Sequence, residues 1–187
     1  MSVEYQFKQM HIQSYVPELF KGFDCATIVY TEDLVLFWKP PCPFGQWTDS
    51  PFEIEGRRYM CAEQFMMAEK ARLFGDHEIA TAIIGSNDSR EQKKLGKKVN
   101  GFDETIWHKH RLEIVVRGNI AKFSQNEHLK QVLIGTGQRR LVEASPLDKI
   151  WGIGLATDHP DAYMIERWQG LNLLGDALEI VRKIIGS

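Results

Sequence analysis

Only a few stretches of this chain have the β-branched and aromatic content of strands, and they are short: residues 27–38, 52–60 and 139–145. "TIVYT" (27–31) and "LVLFW" (34–38) flank Glu32-Asp33, which predicts a hairpin. "FEIEGRRYM" (52–60) alternates and turns at Gly56, so it reads as short strands, and "RRLVEAS" (139–145) reads as one more. Almost all the remaining patterned sequence has helical spacing. The class that fits is α+β, a small mixed sheet surrounded by helices in a single domain. With 187 residues and 43% hydrophobic content, the chain can bury one substantial core.

The helices begin at "CAEQFMMAEKARLFGD" (61–76). "HEIATAIIG" (77–85) follows, ended by Gly85, and 86–99 starts with capping residues before a basic helix. Residues 103–123 read as a longer helix with Trp107, Ile114, Gly118 and Ala121 on one face. Residues 124–137 read as a helix stopped by Gly135 and Gly137, and Asn172 is placed to cap "LLGDALEIVRKII". Two aromatic segments, 40–51 and 146–172, read as loops. Residues up to about Asp24 are weakly patterned and read as an extension or a peripheral helix.

The charges in the first helix are the anomaly. At about 100° per residue, Glu63, Met67, Lys70 and Phe74 share a face, whereas Glu69 and Arg72 point the other way. An acid and an ammonium group thus interrupt an apolar stripe, and burying either without a partner or a use is costly. Two readings stay open: a bridged, partly buried ion pair, or a carboxylate held in an apolar pocket for proton transfer. Arg111, among the apolar residues of 103–123, repeats the anomaly.

Other constellations have two readings as well. Asp148-Lys-Ile-Trp151-Gly152 is either an ordinary turn with a tryptophan plug or a carboxylate, an aromatic face and a glycine that admits a ligand. Trp47, Trp107 and Trp168 are either core packers or stacking surfaces for a base. His108 and His110, two apart, do not face one ligand on a helix, so no metal site is expected. The run Lys93, Lys94, Lys97, Lys98 reads as a solvated face, with phosphate attraction as its alternative. The chain lacks a phosphate loop, a dinucleotide fingerprint, a Gly-x-Ser-x-Gly elbow and a His-Glu-x-x-His.

A formal net charge of -2 gives no general attraction to nucleic acid or to an anionic membrane. Cys25, Cys42 and Cys61 are odd in number and far apart, which fits a reducing, cytoplasmic setting rather than a disulfide framework. The start carries no basic-then-apolar leader and no apolar run approaches a membrane span, so neither secretion nor membrane insertion is expected.

Taken together, "PFGQWTDSPFEIEGRRYMCAEQFMMAEKARLFGD", "AKFSQNEHLKQVLIGTGQRRLVEASPLDKIWGIG" and "WQGLNLLGDALEIVRK", with Trp107 between them, resemble the NADAR superfamily, the YbiA-like proteins, from about Phe37 to Lys183. That resemblance implies that 37–187 form the catalytic domain and 1–36 an N-terminal extension with the first strand region. It also implies an N-glycosidase that hydrolyses the base–ribose bond of the ribosylamino-pyrimidine phosphates of early riboflavin synthesis. Other members remove ADP-ribose from modified guanine, and a module that only binds ADP-ribose or a nucleotide is a further alternative. Carried over by motif, Glu63, Asp148 and Lys70 are the catalytic group, with Glu63 at the position of the family's catalytic glutamate. Phe44, Gly45, Trp47, Trp107, Arg111, Trp151, Gly152 and Asn172 are the substrate-binding set. No metal or other cofactor is implied, and nucleic acid is a partner only for the guanine-directed alternative. Where many relatives have Ser-Asn-Phe this chain has Gly45-Gln46-Trp47, and Gln64 stands where they have histidine, so substrate choice is where it would differ.

Overall fold

The structure, a computed structural model, describes Phe20, Phe23 and residues 28–187. Most of the expected N-terminal extension, and residue 27 of the expected first strand, lie outside the described residues. In chain order the strands are β1 (Val29–Tyr30), β2 (Leu34–Phe37), β3 (Phe52–Ile54), β4 (Arg57–Tyr59) and β5 (Arg140–Glu143). The α-helices are α1 (Ala62–Leu73), α2 (His77–Gly85), α3 (Ser89–Gly96), α4 (Glu104–Gln125), α5 (Glu127–Gly135) and α6 (Leu173–Ile185). This is an α+β fold, as the pattern of strands and helices predicts. No helix among the described residues is long and apolar enough to cross a membrane.

The chain divides into two compact units, one of residues up to Gly45 with Gln131–Gly186, the other of Gln46–Lys130. The first contains a mixed sheet in the order β1-β2-β5. β1 and β2 are the antiparallel hairpin, pairing Val29 with Leu36, and β2 runs parallel to β5, pairing Leu34 with Arg140 and Phe37 with Glu143. Parallel neighbours need a long crossover, and here the whole second unit lies in that connection. All four residues of β2 are buried, so "LVLF" is continuously apolar rather than alternating. Leu34, Leu36, Val142, Ile153 and Leu155 form a core cluster in this unit, with Trp168 packed against it.

Asn172 stands at the N-cap position of α6 but does not cap it. Its side chain reaches back to β5 instead: Nδ2 donates to the Leu141 carbonyl at 2.8 Å and Oδ1 accepts the Glu143 N–H at 2.9 Å. Its left-handed backbone, φ 57°, aims the amide at the strand and away from the helix N–H groups. The capping expected from sequence is therefore replaced by a clamp between β5 and the start of α6.

The second unit holds the β3–β4 hairpin and α1 to α4. Glu55 and Gly56, with φ of 52° and 71°, supply the two left-handed positions of its tight turn. Aspartates start three helices: Asp76 accepts the Ile79 N–H, Asp88 that of Arg90, and Asp103 that of Ile106. α1 is the centre of the unit. Residues Ala62 to Ala68 are all buried, so its first half has no solvent face, contrary to the single stripe read from periodicity. The side expected to point outward is occupied too: Glu69 pairs with Arg72 and Arg117, and Arg72 also donates to the Tyr59 hydroxyl at 3.0 Å.

α4 buries Trp107, Arg111, Val115, Gly118, Asn119, Ala121, Lys122 and Phe123, so Val115 rather than Ile114 continues its inner face. Gly118 lets α1 come close, because a Cβ there would stand 2.5 Å from Phe65 Cδ1. The break expected before residue 124 falls at Asn126, which ends α4. Its Nδ2 donates to the carbonyls of Lys122 and Pro51.

Candidate active site

Five of the side chains expected at the site, Trp47, Glu63, Lys70, Trp107 and Arg111, belong to the unit of residues 46–130. Glu63 lies in the first turn of α1, only 3% exposed, where the helix dipole favours an anion. Its N–H, one of the donors a helix start leaves unpaired, goes to the Gln46 carbonyl at 2.9 Å. That bond ties the catalytic candidate to the loop that carries Trp47.

Lys70 lies in the last turn of the same helix, where the dipole favours a cation, roughly 10 Å along the axis from Glu63. Its Nζ donates to the Gly96 carbonyl at the end of α3 at 2.8 Å. The ammonium also stands 4.2 Å from the centre of the Phe102 ring and 5.7 Å from that of Trp107. Burial pushes Lys70 below the ordinary lysine pKa, and the charge of Glu63 opposes that shift.

α4 lines up beside this face. Trp107, Arg111, Val115 and Asn119 follow one another at steps of four, so they share one side of the helix. Trp107 is at the Lys70 end, and Asn119 at the Gln46 end donates Nδ2 to Gln46 Oε1 at 3.0 Å. Arg111 sits between these two landmarks, 8% exposed, and its guanidinium has no hydrogen bond or ion pair with the described residues. Trp47 is half-buried with Lys93 Nζ 5.3 Å from the ring centre. One unit therefore assembles a buried carboxylate, two desolvated cations and aromatic faces.

Sequence reasoning missed Gln46 and Asn119 as members of this group. Their amides are buried, and Gln46 Nε2 and Asn119 Oδ1 have no hydrogen-bond partner. The spacing of four from Trp107 and Arg111 was the signal available for Asn119. For Gln46 the signal was its place in Gly45-Gln46-Trp47, the segment that departs from the Ser-Asn-Phe of many relatives.

The remaining expected residues belong to the other unit. Phe44 is fully enclosed, 5.3 Å from the Phe37 ring and 6.0 Å from that of Phe20. Gly45 closes a turn by donating to the Cys42 carbonyl. Asp148 Oδ1 accepts the N–H groups of Ile150 and Trp151, both at 2.8 Å, which sets the turn that presents the half-buried Trp151. Gly152 lies against main chain, since a Cβ there would come 2.7 Å from the Glu143 carbonyl. Asn172 is the β5 clamp described above. Among the described residues no three His, Cys, Asp or Glu side chains gather to hold a metal ion.

Comparison with known proteins agrees with the motifs. The chain is 43% identical over 145 residues to an N-glycosidase of Acanthamoeba polyphaga mimivirus, covering 75% of this chain and 85% of that protein. It is 26% identical over 177 residues to the riboflavin biosynthesis protein PYRR, chloroplastic, of Zea mays, covering 84% of this chain and 26% of that protein. The NMR structure of E. coli YbiA superimposes with a TM-score of 0.69 at 20% identity, covering 86% of this chain and 89% of that one, a likeness of fold. The name and extent of the mimivirus relative place this chain among the glycosidases that hydrolyse N-glycosyl compounds. The chain belongs to the NADAR domain family, whose profile matches residues 36–186.

Proposed function

We propose that this NADAR-family N-glycosidase hydrolyses the base–ribose bond of a phosphorylated ribosylamino-pyrimidine, with Glu63 as its acid–base group. The observation that carries the proposal is the setting of Glu63: buried in the first turn of α1, tied through its N–H to the Trp47 loop, and within the electrostatic reach of Lys70. The pyrimidine substrate is supported by the motif resemblance and by the name of the maize relative.

In the reaction the C1′–N bond breaks, its electron pair leaves with the base, and positive charge builds on the ribose ring. Water then adds to C1′. Glu63 takes the proton from that water or delivers one to the departing nitrogen, and its negative charge favours the oxocarbenium-like ring. Trp107 and Trp47 offer stacking faces for the base, each contributing on the order of 1–3 kcal/mol in comparable nucleic-acid contacts. Lys70, held by Gly96 and attracted by Glu63, keeps a positive charge on the face that the carboxylate uses. For Asp148, Trp151 and Gly152 a part in the reaction is supported by the motif resemblance, and Oδ2 of Asp148 lies outside the two bonds that fix its turn.

Incubation with ribosylaminopyrimidine phosphates, NAD, ADP-ribose and ADP-ribosylated guanine DNA, each followed by chromatography for free base, tests the assignment. Base released from the pyrimidine phosphates alone is the expected outcome. Release only from modified DNA would replace it with the guanine-directed activity, and saturable binding without any release would reduce the site to a binding module.

A further inference from the structure

The anomaly that catalysis by Glu63 does not absorb is Arg111. A buried guanidinium costs free energy unless acceptors surround it, and the other buried or half-buried arginines of this chain have them. Arg72 has Glu69 and Tyr59, Arg140 has Asp176 and Glu179, and Arg182 has Thr136 and the Arg139 carbonyl. Arg111 is 8% exposed and has none among the described residues. It stands one helical turn from Trp107, whose ring lies 5.7 Å from Lys70 Nζ, so a second cation shares its neighbourhood.

We propose that Arg111 is the anion reader of this enzyme, the side chain that binds the phosphate of its substrate and makes it prefer phosphorylated over unphosphorylated ribosyl compounds. This deepens the glycosidase assignment above and rests on it. A planar guanidinium presents paired N–H donors that match two phosphate oxygens, which an ammonium does not. Lys70 is the weaker candidate for that duty, because its Nζ is tethered to Gly96 and is electrostatically attracted by Glu63. A charge kept buried without a counter-charge destabilises the free protein, as expected where the ligand brings the missing partner.

The test uses the full chain as wild type, Arg111→Met, Arg111→Lys and Lys70→Met. Thermal melting is followed with inorganic phosphate, ribose 5-phosphate and ribose as probes. Base release is measured from the phosphorylated substrate and from the same compound after phosphatase treatment. Phosphate and ribose 5-phosphate, but not ribose, should raise the melting temperature of wild type and of Lys70→Met. Without anion, Arg111→Met should melt above wild type and should not respond to phosphate. Its kcat/KM preference for the phosphorylated compound should fall at least tenfold, mainly through KM, with Arg111→Lys intermediate. An Arg111→Met chain that melts lower, fails to fold or still responds to phosphate overturns the proposal. If wild type releases base equally from both compounds, the phosphate role falls while the glycosidase assignment stands. If neither compound yields base yet phosphate stabilises only chains with Arg111, the pyrimidine assignment falls and the anion site stands.

Discussion

Lys70 donates its ammonium hydrogen to the main-chain oxygen of Gly96 at 2.8 Å, closing the end of α3 onto the last turn of α1. The ammonium is held there between a carbonyl and two aromatic rings, partly out of water.

Its lowered pKa has a defined sign. Between the folded and unfolded values the unfolded chain binds the proton more tightly, so this group makes stability rise with pH on the approach to about pH 10. Lys70→Met should remove that rise in urea unfolding measured across the alkaline range. Glu63→Gln, which deletes the opposing attraction, should lower the Lys70 pKa further, read from its side-chain nitrogen resonance. An upward shift would contradict the coupling.

Asp76 gives the same slope at the acid end of the range, but for the opposite reason: folding favours its charged form, whereas it disfavours that of Lys70. The Asn100 and Ile79 N–H groups, with the Asn100 amide, hold its carboxyl below the usual carboxylate range. Its stabilising contribution is fully present above about pH 4 and is lost as pH falls through the folded pKa. Asp76→Asn should therefore reduce stability at neutral pH and flatten the acid limb of a melting-temperature profile below pH 4.

Gly118→Ala should destabilise by about 1–3 kcal/mol, because the new methyl overlaps the Phe65 ring. Denaturant titration measures it. The same change in a Phe65→Leu background should cost less than in wild type, a double-mutant cycle that isolates this contact.

Asn172→Leu should cost at least about 2 kcal/mol, since it leaves the Leu141 carbonyl and the Glu143 N–H without their partner and puts a branched side chain at positive φ. Asn172→Ala at a cost of a few tenths of a kcal/mol would show that the clamp is dispensable.

What the sequence made legible was mostly local. The 27–38 hairpin, the turn at Gly56 between short strands, the capped start of the helix in 86–99 and the helix 77–85 follow from turn residues, caps and spacing within a few positions. Glu63, Lys70 and Arg111 stood out because charge interrupts an apolar face, a signal readable inside a single helix. What escaped depends on distant partners. The Gln46–Asn119 amide pair spans 73 residues, and the Asn172 clamp reaches back 29 and 31 residues to β5. The spacing of four places Asn119 on the inner face of α4, but neither pairing can be read from periodicity. The burial of α1 on all sides was hidden for another reason: alanines, methionines and charged residues mix around it, so no stripe announces that neighbours enclose it. Glu69 looked solvent-facing because its partners Arg72 and Arg117 were not visible as a set.

The most direct test of the central claim is the rate of base release by Glu63→Gln, measured on whichever ribosylaminopyrimidine phosphate wild type hydrolyses fastest and with folding checked by melting. The substitution keeps shape and removes the charge. A fall in kcat of roughly 10²–10⁴ with little change in KM is the expected result; release within a few-fold of wild type would contradict the assignment of Glu63 as the acid–base group.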